Sequence, residues 1–186
     1  LFRAYRRCLR RTDDEQTVSV IVDVGASATK VVVARGRTIL LIKSIDIAGA
    51  KLNDAVATAL GLNYDEAQHL RKRSVAGEDS ESDERIRWSL HDAIRGPAEA
   101  LAHEISLCLR YCAVTFRGLR SNRITLTGGE AYDAALVKLL NEALDCECVI
   151  GEPLRGANLE QVDLGSDRRR TLTEWSVATG LALRGR

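Results

Sequence analysis

Three β-branched runs near the start of the chain, at 18–24, 29–34 and 38–45, are separated by joins of only four and three residues. Val and Ile favour the pleated, half-buried surface of a strand. A parallel crossover needs a dozen or more residues, and neither join can hold one. The runs therefore predict an antiparallel meander closed by tight turns. The first turn is unusual. In VIVDVGASATKVVVA a carboxylate, Asp23, sits inside an apolar strand, and Gly25, Ser27 and Thr29 follow it. Backbone amides gathered in such a turn bind anions, phosphate above all. Gly25 lets the backbone approach a ligand closely, and the two hydroxyls add donors. Asp23 repels a phosphate unless a cation lies between them, and Mg²⁺ is held in that way by one or two carboxylates. An ordinary hairpin with Asp23 capping its own turn is the alternative.

After residue 45 the apolar period changes from two to between three and four. Leu52, Ala55, Val56, Ala59 and Leu60 mark a helix over 50–60 that Gly61 stops. A second helix over 63–73 starts with Asn or Asp as its cap. Residues 74–83 are acidic and lack periodicity, which predicts a mobile loop. A helical lead-in over 86–94 is followed by Gly96-Pro97, where Pro97 is expected to restart the chain as a first helical residue. Ala98, Leu101, Ile105, Cys108, Cys112 and Phe116 then form one stripe on a long helix. A strand at 123–127 runs into Gly128-Gly129 and a helix over 131–144. Two glycines at a strand–helix junction let a flat ligand lie against the backbone. A strand at 146–150, an irregular stretch to residue 170 and a helix over 174–183 complete the chain. A short Arg-rich helix over 2–9 precedes the meander.

The net charge of +1, with Lys and Arg dispersed and aromatics at 4%, excludes an extended nucleic-acid surface. No apolar run approaches the roughly 18–20 residues of a membrane span, so no direct membrane insertion is expected. With no signal peptide visible, a cytoplasmic setting follows. Five cysteines, an odd number, argue against a disulfide framework. Cys108/Cys112 and Cys146/Cys148 lack CxxC spacing, so reduced and partly buried thiols are expected rather than zinc. A chain that starts with Leu and contains no Met is expected to be a domain of a longer protein.

The order of these motifs resembles the actin-like ATPase superfamily and, within it, the type IV pilus assembly protein PilM family, whose relatives include the cell-division protein FtsA. VDVGASATKVVVARG resembles the phosphate-2 hairpin of that family, and SIDIAGAKLNDAVATALGL with YDEAQHLRK resembles the entry to its helical subdomain. RGPAEALAHEISLCLRYC resembles the long helix there. ITLTGGEAYDAALVKLLNEAL resembles the adenosine motif, and ECVIGEPL and SVATGLALR the late strand and connecting helix. The resemblance implies an α/β fold, the RNase H-like second lobe of an actin-like ATPase: a mixed β-sheet that starts with an antiparallel meander, with flanking helices and an inserted helical subdomain. It implies an interdomain helix remnant at 1–16, a sheet subdomain at 17–47 and 122–186, and the insert at 48–121. The first lobe, with its phosphate-1 loop and the surface for a PilN-like partner, is then expected outside these residues.

By the same resemblance Asp23 serves Mg²⁺ through water and the attacking water, and Gly25, Ser27 and Thr29 meet the phosphates of ATP or ADP. Gly128 and Gly129 lie against the adenosine, and Gln68 and Arg71 stand where Glu and Lys commonly reach ribose and base. Glu130 replaces a third glycine, and Ala48-Gly49 a Gly-Gly pair. The implied function is a nucleotide-binding lobe of a cytoplasmic scaffold, peripheral at the inner membrane through pilus-assembly partners. It is at most a weak ATPase, and self-association stays open. A sugar- or acetate-kinase-type phosphotransferase and a nucleotide-free interaction domain are the alternatives.

Overall fold

The computed structural model describes residues 1–6, 16–77, 84–162 and 171–184. Strands β1 (Val18–Val24), β2 (Thr29–Arg35) and β3 (Thr38–Ile45) form the antiparallel meander, and β4 (Arg123–Thr127) and β5 (Glu147–Ile150) join it. The spatial order is β3-β2-β1-β4-β5. Both β1–β4 and β4–β5 are parallel, with Asp23 opposite Thr127 and Ile124 opposite Cys148. The sheet is therefore mixed. Its parallel part is built from strands whose connections carry helices, as parallel pairing requires.

Side chains alternate across the sheet. Val20, Val22, Val24, Val31 and Val33 enter the main core, beneath α2 (Gly49–Leu60), α4 (Glu84–Thr115) and α5 (Ala134–Ala143). Ile21, Val32 and Ala34 face the other way and meet Phe2 of α1 (Phe2–Arg6). Both faces of β1 are covered, which explains its nearly unbroken apolar run. Asp23 belongs to the thinly covered α1 face, at the last turn of the strand.

The helical segment begins with α2, ended by Gly61 at φ 65°, and α3 (Tyr64–Ala76), ended by Gly77 at φ 68°. A glycine tolerates this left-handed conformation without a Cβ penalty. Asn63 and Glu66 form a reciprocal capping box at the start of α3. The expected restart at Pro97 does not occur, because α4 runs unbroken through it. An interior proline costs roughly 3 kcal/mol. Leu90, Ile94, Ala98, Leu101, Ile105, Cys108 and Cys112 are all buried on one stripe that spans the proline, and burying side chains of this size contributes about 1.5–3 kcal/mol each. The stripe outweighs the lost hydrogen bond.

Two other boundaries shift. The helix expected over 131–144 is a short 3-10 turn, Gly129–Tyr132, followed by α5, whose N-cap Asp133 accepts from the amides of Ala135 and Leu136. The last helix, α6 (Ser176–Ala182), likewise follows a 3-10 turn at Thr173–Trp175. Most of the acidic loop, Cys8 and residues 163–170 lie outside the described residues. No described helix is long and apolar enough to cross a membrane.

Candidate functional site

Parallel pairing of β1 with β4 places Asp23 beside Thr127, so the two glycine motifs, about 100 residues apart in sequence, meet at one end of the sheet. Gly128 follows Thr127 at φ 89°, and a Cβ there would lie 2.6 Å from Asp23 Oδ1. Only glycine lets the carboxylate and the β4 turn approach so closely. The β1–β2 turn closes through Gly25 N–H donating to Ala28 O at 3.3 Å. The first amides of α2 dock onto this turn, Gly49 N–H donating to Gly25 O at 3.0 Å and Ala50 N–H to Ala26 O at 2.7 Å. Helix α2 thus braces the turn from behind while Ser27 stays exposed.

Asp23 is half-buried, and among the described residues its carboxylate makes no hydrogen bond or ion pair. Burial pushes its pKa up, and the Leu1 ammonium and then Lys30 across the strand pair pull the other way. An unpaired, partly desolvated carboxylate beside a glycine backbone suits a hydrated divalent cation.

The remaining expected residues divide. Gly129 is exposed, and a Cβ there would meet nothing within 4 Å, so its face is open to a ligand. Gln68 is half-buried on α3, one turn before Arg71. Thr29 does not face the turn. It is fully buried, and its hydroxyl donates to Ile47 O at 2.6 Å, fixing the chain as it leaves β3. In this structure that hydroxyl is committed to the backbone rather than free toward the turn.

Arg71 is likewise engaged within the protein. It is 6% exposed, and both terminal nitrogens of its guanidinium bond protein groups, while its buried Nε has no partner among the described residues. Nη2 donates to Glu130 Oε2 at 2.6 Å and to Asp133 Oδ2 at 2.8 Å, and Nη1 to Asn53 Oδ1 at 2.7 Å. Charge pairing with Glu130 and Asp133 outweighs the burial that opposes the charged form, and the net shift of Arg71 is upward. A Cβ on Gly49 would overlap the Glu130 carboxyl group, coming within 2.8 Å of Cδ. Residues 71 and 130 therefore form one buried bridge packed against Gly49. It ties α3 to the loop after β4.

A hydroxyl cluster on the other side of that loop gave no sequence signal. Tyr5 Oη donates to Thr127 Oγ1 at 2.9 Å and bonds Ser176 Oγ at 2.8 Å. Thr127 and Ser176 also bond each other, and Thr173 Oγ1 donates to Gly128 O at 2.8 Å. These bonds pin α1 and α6 to the end of β4. Serines and threonines are too common for spacing alone to reveal such a cluster.

Cys108 and Cys112 face the core and Cys148 is buried beside Cys146. Burial raises all four pKa values, that of Cys148 to about 11. Among the described residues no group of three or more His, Cys, Asp or Glu is arranged to hold a metal.

The family description "Type IV pilus assembly protein PilM" matches residues 2–186. No curated protein matches the chain by sequence. Among solved structures, a PilM-PilN type IV pilus biogenesis complex is similar at 22% identity and a TM-score of 0.76, over 98% of this chain and 49% of that one. The ethanolamine utilization protein EutJ from Carboxydothermus hydrogenoformans follows at 16% and 0.65, over 98% and 53%. MreB5 of Spiroplasma citri bound to ADP is similar at 14% and 0.57, over 97% and 57%. At these identities the likeness is one of fold. The chain spans about half the length of each of these structures.

Proposed function

Because the chain belongs to the type IV pilus assembly protein PilM family, we propose that it is the nucleotide-binding lobe of a pilus-assembly scaffold, taking ADP or ATP with Mg²⁺ at the Asp23 end of the sheet. In this reading residues 17–47 and 122–186 form the sheet subdomain, 48–121 a helical insert and 1–16 an interdomain helix remnant. The observation that carries it is the convergence of Asp23, Gly25 and Gly128 on one strand pairing, with Ser27 and Gly129 open beside them. Asp23 would hold the hydrated ion. The amides of the 25–28 turn and the Ser27 hydroxyl would take the phosphates, and Gly129 would give the base a flat wall. Mg²⁺ supplies charge neutralisation between carboxylate and phosphate. The solved PilM-PilN complex supports a PilN-like partner, met through the remaining half of such a protein and so peripheral to a membrane. Nucleotide then acts more as a conformational ligand than as fuel.

Titration of the chain with Mg²⁺-ADP, followed by amide chemical shifts, tests this reading. One wall of a cleft offers half the contacts, so the expected Kd is on the order of millimolar (about −4 kcal/mol). Shifts should centre on Gly25, Ser27, Gly128 and Gly129, and Asp23→Ala should abolish the Mg²⁺ dependence. Absence of any shift at ~10 mM nucleotide, in the chain and in Glu130→Gly alike, refutes it. A second reading, a nucleotide-free interaction domain, draws on the Arg71–Glu130 bridge, which occupies the side of the site where base and ribose would lie. A response of Glu130→Gly alone would favour that reading.

A further inference from the structure

The opposite end of the sheet has its own character. The β2–β3 turn, the segment after α4 and the start of β4 gather there, held together by Arg35 Nη2 donating to Phe116 O at 3.2 Å. They bring Arg35, Arg37, Arg117, Arg120 and Arg123 to one pole, with Arg110 one turn back on α4. Only Arg123 finds a carboxylate among the described residues, Glu147 at 3.1 Å. Arg37, Arg110, Arg117 and Arg120 are exposed and make no ion pair there. The last turn of α4 carries no basic residue, so these arginines are not explained as neutralising the helix dipole. Arg117 also holds φ 52°, a conformation that a non-glycine residue adopts at a cost.

A cavity of about 430 Å³ opens at this pole. Val18, Val33, Leu109 and Leu144 give it an apolar part, and Arg110 and Arg120 stand on its lining with a single carboxylate, Asp145. Beside it on α4, Tyr111 and Val114 are exposed. We propose that this arginine-rimmed, partly apolar pocket binds an acidic peptide segment of a partner protein that inserts one apolar anchor side chain. The unpaired arginines set the charge of the ligand. The cavity has the size and lining that accept one large apolar side chain as an anchor. A membrane surface is flat and would leave the cavity unfilled, whereas an inserted side chain fills it. A single-stranded nucleic acid is held largely by stacking aromatics, and none lines the cavity. The site lies at the other end of the strands from the one the proposed function assigns to nucleotide.

The test is selection of a random dodecapeptide library on the full chain, with counter-selection on R110E/R120E. Both arginines are exposed, so the variant should fold, and circular dichroism checks this. The enriched peptides should be rich in Asp and Glu around a Leu, Ile or Phe. A synthetic representative should lose about tenfold or more in affinity on R110E/R120E, weaken with added salt, and bind the control R85E/R95E unchanged. Replacement of its apolar residue by Gly should weaken it comparably. Failure to enrich acidic peptides, equal affinity for R110E/R120E, or tighter binding of phosphatidylglycerol vesicles or an oligodeoxynucleotide would each overturn the proposal.

Discussion

Arg71→Met keeps most of the side-chain volume and removes the guanidinium that Glu130, Asp133, Asn53 and the Gly49 carbonyl share. Breaking one partner out of a buried ion pair costs about 3–5 kcal/mol, because the other charge stays behind uncompensated. Here two carboxylates stay behind, and their side chains are 21% and 11% exposed, against 7% for Arg71. That residual hydration moves the expectation to the lower end, about 3 kcal/mol. For a chain of this size the loss corresponds to a fall in Tm of roughly 6–12 °C. The assay is urea and thermal unfolding by circular dichroism, run as a double-mutant cycle with Glu130→Ala. Glu130→Ala alone leaves Arg71 its bonds to Asp133 and Asn53, and about 1–2 kcal/mol is expected. The pair should cost less than the sum by about 1–3 kcal/mol, since the second change removes a stranded carboxylate. A cost below about 1 kcal/mol for Arg71→Met, or additivity within error, would show that the three side chains are solvated and that no bridge joins α3 to the β4 loop.

The adjacent glycines should respond oppositely: Gly128→Ala should cost several kcal/mol in urea unfolding, about 2–4, because of its positive φ and the crowding carboxylate of Asp23, whereas Gly129→Ala should stay within about 0.5 kcal/mol. The raised pKa of Asp23 means that the folded state holds this proton more tightly than the unfolded chain. Its contribution is present below the unfolded value near ~3.9 and lost as pH rises through the folded value. Asp23→Asn should therefore be more stable than the parent at neutral pH, by about 0.5 kcal/mol after allowance for partial exposure, and the gap should close on acidification; a widening gap at low pH would contradict this. Cys148, with its thiol at about 11, should resist iodoacetamide at pH 8 in the native chain and react once the protein is unfolded, as followed by mass spectrometry. Cys108→Ala should cost on the order of 1 kcal/mol through lost packing, read by the same unfolding assay.

The strands were readable because β-branched runs and joins too short for a crossover leave few arrangements, and the meander follows from residues 18–45 alone. Asn63 and Gly61 announced helix ends for equally local reasons. The partner of Arg71 could not be read in this way. Glu130 lies 59 positions away, and nothing in its neighbourhood marks it as an ion-pair partner rather than a surface acid. The same holds for Thr29, whose alternating position in β2 already pointed it inward, while its place in a turn motif suggested a ligand. Position within the motif misled where the strand's own period did not. Pro97 misled in a third way, because a local rule met a stripe of core contacts that continued on both sides of it.

The unbroken α4 has a mechanical consequence. At 1.5 Å per residue its 32 residues make a rod about 48 Å long. Its early part, at Leu90 and Ile94, lines the same cavity as Arg71 and Asp133, and its late part carries Arg110. The proline removes one rung of the hydrogen-bond ladder at residue 97 and is the natural fulcrum. The arm from Leu90 to that point is about 10 Å and the arm from there to Arg110 about 20 Å. A rigid tilt about that point would carry the arginine end about twice as far as the Leu90 end.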